Sequence, residues 1–367
     1  MTSLPGESFE VYYPEPSKHH HHRRHRRKKK KALKILLIIF LCLLVVFSAL
    51  GGTFLVMRSI GRKQLMNGQG EIAIPEDLVD SFDDDGKTVS YNGEKYLLNE
   101  DIVSIVFMGV DKKDINQELG YGTNGQADAI FVACLDTKSG AVKIIPIPRE
   151  FMVDVNLYST SGKYVGVERE QLCLAYAYGG TPQESCNNVV LSVSRALYGM
   201  NMGSYVAIDL AGVGVLTDMV GGVTVTSPET ISYGKYKFTQ GQSTTLKGGA
   251  TEAFIRARTG TVEGSTLRLV RQKEFLNAFS SKAGNQVLSN ITQLPKFYNT
   301  AKPYTASDIT LSELTYLASC VLTTDIGNSL KYHMVGGNIG MGEKYVEFEP
   351  DPTALFEMVL EVFYKKQ

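Results

Sequence analysis

The chain has 367 residues, enough for one large domain or two ordinary ones, and its 43% hydrophobic and 21% charged content is that of a folded protein. Its 38 basic and 38 acidic side chains cancel overall, yet residues 1–34 carry ten Lys or Arg against three Glu, leaving 28 against 35 in the remainder. That acidic remainder, with no motif for reading bases, excludes nucleic acid as its partner.

Residues 1–34 form a polar, basic tail without core periodicity, expected to be disordered and cytoplasmic. Ile35 to Met57 is an uninterrupted apolar run of 23 residues. As a helix it would span the ~30 Å hydrocarbon core. Arg23 to Lys31 stands directly before it, and only Arg58, Arg62 and Lys63 follow closely. The positive-inside rule therefore predicts a single-pass protein of the cell membrane, with everything after Met57 extracellular. A cleaved signal fits less well, because the run is too long and has no clear A-x-A site. The basic run reads as a topology and anionic-lipid signal, and His19 to His22 as solvated. Residues 58–98 read as a juxtamembrane linker with a turn at Asp83-Asp84-Asp85-Gly86.

The globular part is expected from residue 99, with 99–283 as its main body and 284–367 completing the same domain. Ile102 to Gly109 predicts a buried strand that runs out at Asp111. Ala129 to Leu135, opened by Asp128, and Val142 to Ile147 predict two more, joined by a tight turn over Asp136 to Gly140. Apolar spacing predicts helices over Glu184 to Tyr198, Val213 to Val220, Thr251 to Ile255, Leu267 to Phe279, Leu311 to Leu322 and Thr353 to Tyr364. Short strands are expected around Val206 to Ile208 and Val223 to Val225, and Asn285 to Tyr304 reads as irregular. The sum is a layered α/β/α domain with a mixed central sheet. Of the five cysteines, Cys42 falls in the apolar run and Cys134 in a strand. Cys173 and Cys186 are either bridged or free, which leaves Cys320 unpaired, and no Cys/His spacing suits zinc.

His333 is the one histidine after the apolar run, which argues against Ser-His-Asp and Cys-His catalysis. No phosphate-binding glycine loop is present; the glycines of MVGGVTV predict a tight turn before a strand. What remains is acids and arginines where elements end. Asp111, Asp128 and Arg149 stand at the tips of three strands, and two adjacent carboxylates are the usual seat of a hard cation. FIRARTGTVEGSTLRLVRQ adds Arg256, Arg258, Arg268, Arg271 and Gln272, the last three sharing a helix face at i, i+3 and i+4. Guanidinium forks suit phosphate oxygens, although a network of surface ion pairs would use the same residues.

Seven blocks in order, FMGVD, QADAI, PIPRE, LAYAYGG, LTDMVGGVTV, LKGGATEAFIRAR and LRLVRQ, resemble the LytR-CpsA-Psr family. The resemblance implies an enzyme that takes a glycopolymer (teichoic acid, capsule or another wall polysaccharide) from a polyprenyl-pyrophosphate carrier and attaches it, with a phosphate, to peptidoglycan. It implies Mg2+, with Mn2+ as a substitute, on Asp111 and Asp128, and phosphate-side roles for Arg149, Arg256, Arg258, Arg268 and Gln272. The chain departs from the family pattern at Gln126 and Gln171, where the family carries Arg and Lys, and at Glu150, where it carries Asp. Cys173 replaces an Asn, and Glu263 and Ser265 stand where two acids are usual. Gln126, Gln171 and Ser265 favour the alternative, a non-catalytic envelope protein that binds lipid-linked polymers or regulates wall assembly.

Overall fold

The computed structural model describes residues 52–65, 72–82, 87–258, 262–321 and 330–367. The chain divides into two compact units, Met1–Leu55 and Val56–Gln367, and apart from the helix residues 52–55 all that follows concerns the second. Residues 52–65 form a helix, α1. No helix among the described residues is long and apolar enough to cross a membrane. The expected span from Ile35 lies outside the described residues as far as 51, as do the basic tail, Cys42 and the turn at 83–86.

The first strands are β1 (Ser81–Phe82), β2 (Thr88–Tyr91) and β3 (Glu94–Leu98). They lie in the stretch expected to be a linker, yet β3 pairs antiparallel with the last strand, β18 (Tyr364–Lys366). Alternation in TVSY and EKYLL around Asn92-Gly93 supports this hairpin; both turn residues have positive φ.

The central sheet is built from β4 (Ile102–Val110), β5 (Ala127–Asp136), β6 (Val142–Ile147), β9 (Ser204–Ile208), β14 (Thr305–Ser307) and β15 (Leu330–Tyr332), in the order β14-β9-β4-β5-β6-β15. β4, β5 and β6 form an antiparallel meander, β9 runs parallel to β4 and β15 parallel to β6, so the sheet is mixed as expected. Asp136 closes the β5–β6 turn by accepting from the Lys138 and Ser139 amides. One face packs Val106, Met108, Ile130, Val132 and Ala207 beneath Val189 and Val193 of α2 (Pro182–Ala196). The other packs Val103, Ile105 and Leu135 beneath Tyr316 and Leu317 of α7 (Leu311–Val321). Helix α2 starts earlier than its apolar spacing indicated, because Thr181 and Glu184 form a reciprocal capping box ahead of Pro182.

A ribbon of β7 (Met152–Tyr158) and β8 (Tyr164–Gln171) and a 3-10 helix over Leu172–Tyr178 pack on the α2 side, and helix α3 (Leu210–Met219) follows β9. Two short pairs, β10 (Val223–Thr226) with β13 (Ser243–Leu246) and β11 (Ile231–Tyr233) with β12 (Tyr236–Phe238), bring Val223, Val225 and Leu246 into a smaller core with Phe254 and Ala257, around α4 (Gly249–Arg256) and α5 (Val262–Ser289). The 28-residue α5 extends well beyond the predicted Leu267 to Phe279, and α6 (Leu294–Ala301) follows, so Asn285 to Tyr304 is largely helical instead of irregular. Lys282 and Gln286 donate to carbonyls at 220–222, which ties down the far end of α5. A hairpin of β16 (Gly337–Met341) and β17 (Val346–Pro350) precedes α8 (Pro352–Phe363), with Pro352 in its first turn as expected. Cys134, Cys173 and Cys186 are buried and free, so no bridge joins Cys173 to Cys186.

Candidate active site

Strand register brings the predicted charges to one sheet edge. Ile130 pairs with Ile147 across the antiparallel β5–β6 ladder. Extending that register by two residues sets Asp128 opposite Arg149. A shift at Gly109/Val110 lets the Asp111 amide donate to the Gln126 carbonyl at 3.1 Å. The strand ends in Pro148, which cannot donate to a ladder, and the Phe151 amide turns back onto the Pro148 carbonyl. The arginine is thus delivered at a rigid tip.

Asp128 is the centre of the cluster. Arg149 Nη1 binds its Oδ1, Arg258 Nη2 lies 3.2 Å from its Oδ2, and Arg268 Nη1 lies 3.6 Å from the same oxygen. Asp111 takes Arg256 Nη2 at 2.9 Å, and Arg256 Nη1 reaches Glu252, one turn back on α4, at 2.9 Å. Glu150 is buried, 3.4 Å from Arg149 Nε and 3.9 Å from Arg268 Nη2. Gln126 Oε1 accepts from Arg149 Nη2 at 3.1 Å. Four guanidiniums therefore face four carboxylates.

Burial sets the electrostatics. Arg268, only 4% exposed, is pushed down to about 10 by burial, which the pull of Asp128 and Glu150 does not fully offset. It is still charged at neutral pH. Burial also opposes the charge on Arg149, but the groups around it, Asp128 and Glu150 included, hold it above the ordinary guanidinium value. The Cys173 thiol beside Arg149 is pushed up to about 12 by burial, so it is a neutral wall and not a nucleophile.

A cavity of about 40 Å³ opens at this cluster, lined by Gly109, Asp111, Asp128, Ile208, Ile255, Arg268 and Gln272 among others. Two residues further along the same sheet face, Phe107 stands between Phe131 and Val206 in the ladder and is 40% exposed, an unusual position for a central-strand phenylalanine. Asp209, which the sequence reading missed, also lines the cavity. Its carboxylate accepts from the Gly212 and Ile115 amides, capping α3, and the Asp-x-x-Gly spacing was the available signal.

Two predicted residues stand apart. Arg271 is wholly buried and turns to the small core, where it binds Glu229 and the carbonyls of Phe254 and Ala257. Gln171 donates to the Val346 carbonyl, on β17. Gln272 lines the cavity while its amide lies 3.4 Å from the Ile255 carbonyl. The side chains at 263 and 265 lie outside those described. Among the described residues no group of three or more His, Cys, Asp or Glu is placed to hold a metal. Asp209 is committed to the Ile115 and Gly212 amides, which leaves Asp111 and Asp128 as the cavity carboxylates able to offer hard oxygens. That donor set fits Mg2+ when substrate phosphates complete the shell, since Mg2+ is commonly held by one or two carboxylates plus phosphate.

The polyisoprenyl-teichoic acid–peptidoglycan teichoic acid transferase TagU of Oceanobacillus iheyensis is 24% identical over 273 residues, covering 74% of this chain and 76% of the relative. The enzyme of the same name from Bacillus subtilis is 24% identical, covering 66% and 70%. The crystal structure of B. subtilis TagV superposes with a TM-score of 0.57 at 25% identity, over 71% of this chain and 95% of that one. The LytR_cpsA_psr family model matches residues 76–359, and this chain is a member of that family.

Proposed function

We propose that the protein is a membrane-anchored transferase that moves a phosphate-linked glycopolymer from a polyprenyl-pyrophosphate carrier to peptidoglycan. The observation that carries this reading is the convergence of Arg149, Arg258 and Arg268 on Asp128, at strand tips above an apolar face. The curated relatives named as teichoic acid transferases support it. The apolar run from Ile35 supplies the anchor and sets the domain outside the cell, close to the bilayer that carries the lipid.

Without substrate the guanidiniums are held by carboxylates. An arriving diphosphate exchanges those partners, so Arg149, Arg256, Arg258 and Arg268 turn to phosphate oxygens without having to be ordered first. Because the cluster is charge-balanced, a diphosphate alone would leave it anionic. Asp111 and Asp128 would hold Mg2+, which would supply the counter-charge and polarise the phosphoryl group. Glu150 is sequestered between Arg149 and Arg268, which suits it to positioning and removes it as a proton acceptor for substrate. The small cavity takes the first carbons of the lipid, and the rest runs along the face that Phe107 leaves open.

The test is reconstitution of the full chain with a polyprenyl-diphosphate-linked glycopolymer and peptidoglycan. Covalent attachment is expected, abolished by EDTA and restored by Mg2+. Retained donor binding without attachment under any divalent cation would establish the non-catalytic binder instead. Phe107→Glu is expected to raise the donor KM about tenfold or more, because it sets a charge against the lipid path, while thermal stability stays close to that of the parent chain. An unchanged donor KM would move the lipid elsewhere.

A further inference from the structure

The same sheet edge carries a second cavity of contrasting character. A cleft of about 240 Å³ opens between the glycine-rich loop 120–126 and the 3-10 helix, lined by Thr123, Gly125, Gln126, Leu174 and Tyr178 among others. Leu172, Ala175 and Tyr176 of that helix share the α2-side core with Ile130 and Val132. The cavity at the arginine cluster instead uses Gly109, Ala129 and Ile208, which alternate with those core positions and face the other way. Gln126 links the two, lining the cleft and bonding Arg149. Among the described residues that line the cleft, none carries a charge.

The loop is fixed by a buried polar lattice. Asn124 is wholly buried; its Oδ1 accepts from the Leu119 amide at 3.1 Å and Lys112 Nζ at 3.3 Å, and its Nδ2 donates to the Gly179 carbonyl at 2.7 Å and Ser185 Oγ at 3.2 Å. Lys112 is itself buried, and its Nζ donates to carbonyl oxygens at 117 and 124 and not to a carboxylate. Gly125 has φ +91°, and a Cβ there would come 3.1 Å from Lys112 Cγ. Burying a lysine in this way is costly. It yields a rigid wall next to Gln126, where an exposed glycine loop would otherwise be mobile.

We infer that this cleft is the acceptor subsite, that it takes an uncharged, hydroxyl-bearing sugar of the glycan strand, and that Tyr178 is a specificity-determining residue in it. The inference rests on the transferase reading. In-line phosphoryl transfer needs the attacking and leaving oxygens on opposite sides of phosphorus. Polyprenyl phosphate departs toward the apolar face, so the acceptor hydroxyl enters from the cleft. A bond forms between that hydroxyl oxygen and the sugar-bearing phosphorus. The anhydride P–O bond breaks with its electron pair on the departing polyprenyl phosphate, and the hydroxyl proton passes to solvent at the cleft mouth late in a largely dissociative transition state.

The test uses the full chain, a polyprenyl-diphosphate-linked glycopolymer as donor, and soluble uncrosslinked peptidoglycan strands as acceptor. Leu174→Trp, which fills the cleft, and Tyr178→Ala are each expected to raise the acceptor KM about tenfold, with the donor KM changed by less than about twofold. A donor KM that rises in parallel, or an acceptor KM unmoved in both variants, overturns the assignment. Should the unaltered chain show no transfer, the transferase reading fails, and direct titration with the same strands decides the cleft's role. Binding lost in Leu174→Trp supports the subsite, and binding that persists refutes it. Circular dichroism and thermal melting identify a variant that has misfolded, and Tyr178→Phe, which keeps the ring, then carries the comparison.

Discussion

Arg149→Ala is expected to lower polymer transfer about 10²- to 10³-fold, the usual cost of removing one preorganised donor from a charged transition state. The effect should fall mainly on kcat, because Arg258 and Arg268 still face the Asp128 side of the site and keep donor affinity. Arg149→Lys should recover only part of the rate. A lysine has no planar fork with which to serve Asp128 and Gln126 together, as the two terminal nitrogens of Arg149 do. Steady-state kinetics at saturating Mg2+ check this. Full activity in Arg149→Ala would remove the strand tip from the chemistry.

The second large effect is on stability. Arg271→Ala is expected to lower the unfolding free energy by about 3–5 kcal/mol, measured by urea denaturation. Arg271 is wholly buried and completes three bonds at once, to Glu229 and to the carbonyls of Phe254 and Ala257. Its loss strands a carboxylate and two backbone acceptors. The carbonyls at 254 and 257 flank Arg256 and adjoin Arg258, so activity should fall as well, through displaced arginines and not through lost contact with substrate. The double variant Arg271→Met, Glu229→Leu removes the stranded charge and should recover part of the stability but leave the carbonyls unpaired. A single-variant loss below about 1 kcal/mol would show that this anchor is not needed.

The strand tips were legible because their cause is local. An apolar β-branched run that stops at Pro148-Arg149 can only present the arginine at an edge, and antiparallel neighbours fix what lies opposite. Helical spacing was less decisive. It grouped Arg268, Arg271 and Gln272 on one side of α5 correctly, yet a helix of 28 residues meets both the strand tips and the small core, and spacing does not say which neighbour each side chain meets. Arg268 went to Asp128 and Arg271 to Glu229. Glu150 and Gln171 show the same limit, since burial between two arginines and a bond to a carbonyl on a distant hairpin depend on long-range packing. The hairpin at 88–98 was hidden by its short, half-polar strands, which need the chain's last strand to close them. Lys112 and Asn124 carry no local signal, and only the folded loop makes them its scaffold.

The most direct measurement is a crystal structure of the portion after residue 57 soaked with a polyprenyl diphosphate and Mg2+. The account predicts the diphosphate within hydrogen-bond distance of Arg149, Arg256, Arg258 and Arg268, the cation on Asp111 and Asp128, and the first isoprene units against Ile208 and Phe107. A diphosphate bound away from these arginines, with the Asp128 ion pairs intact, would contradict it.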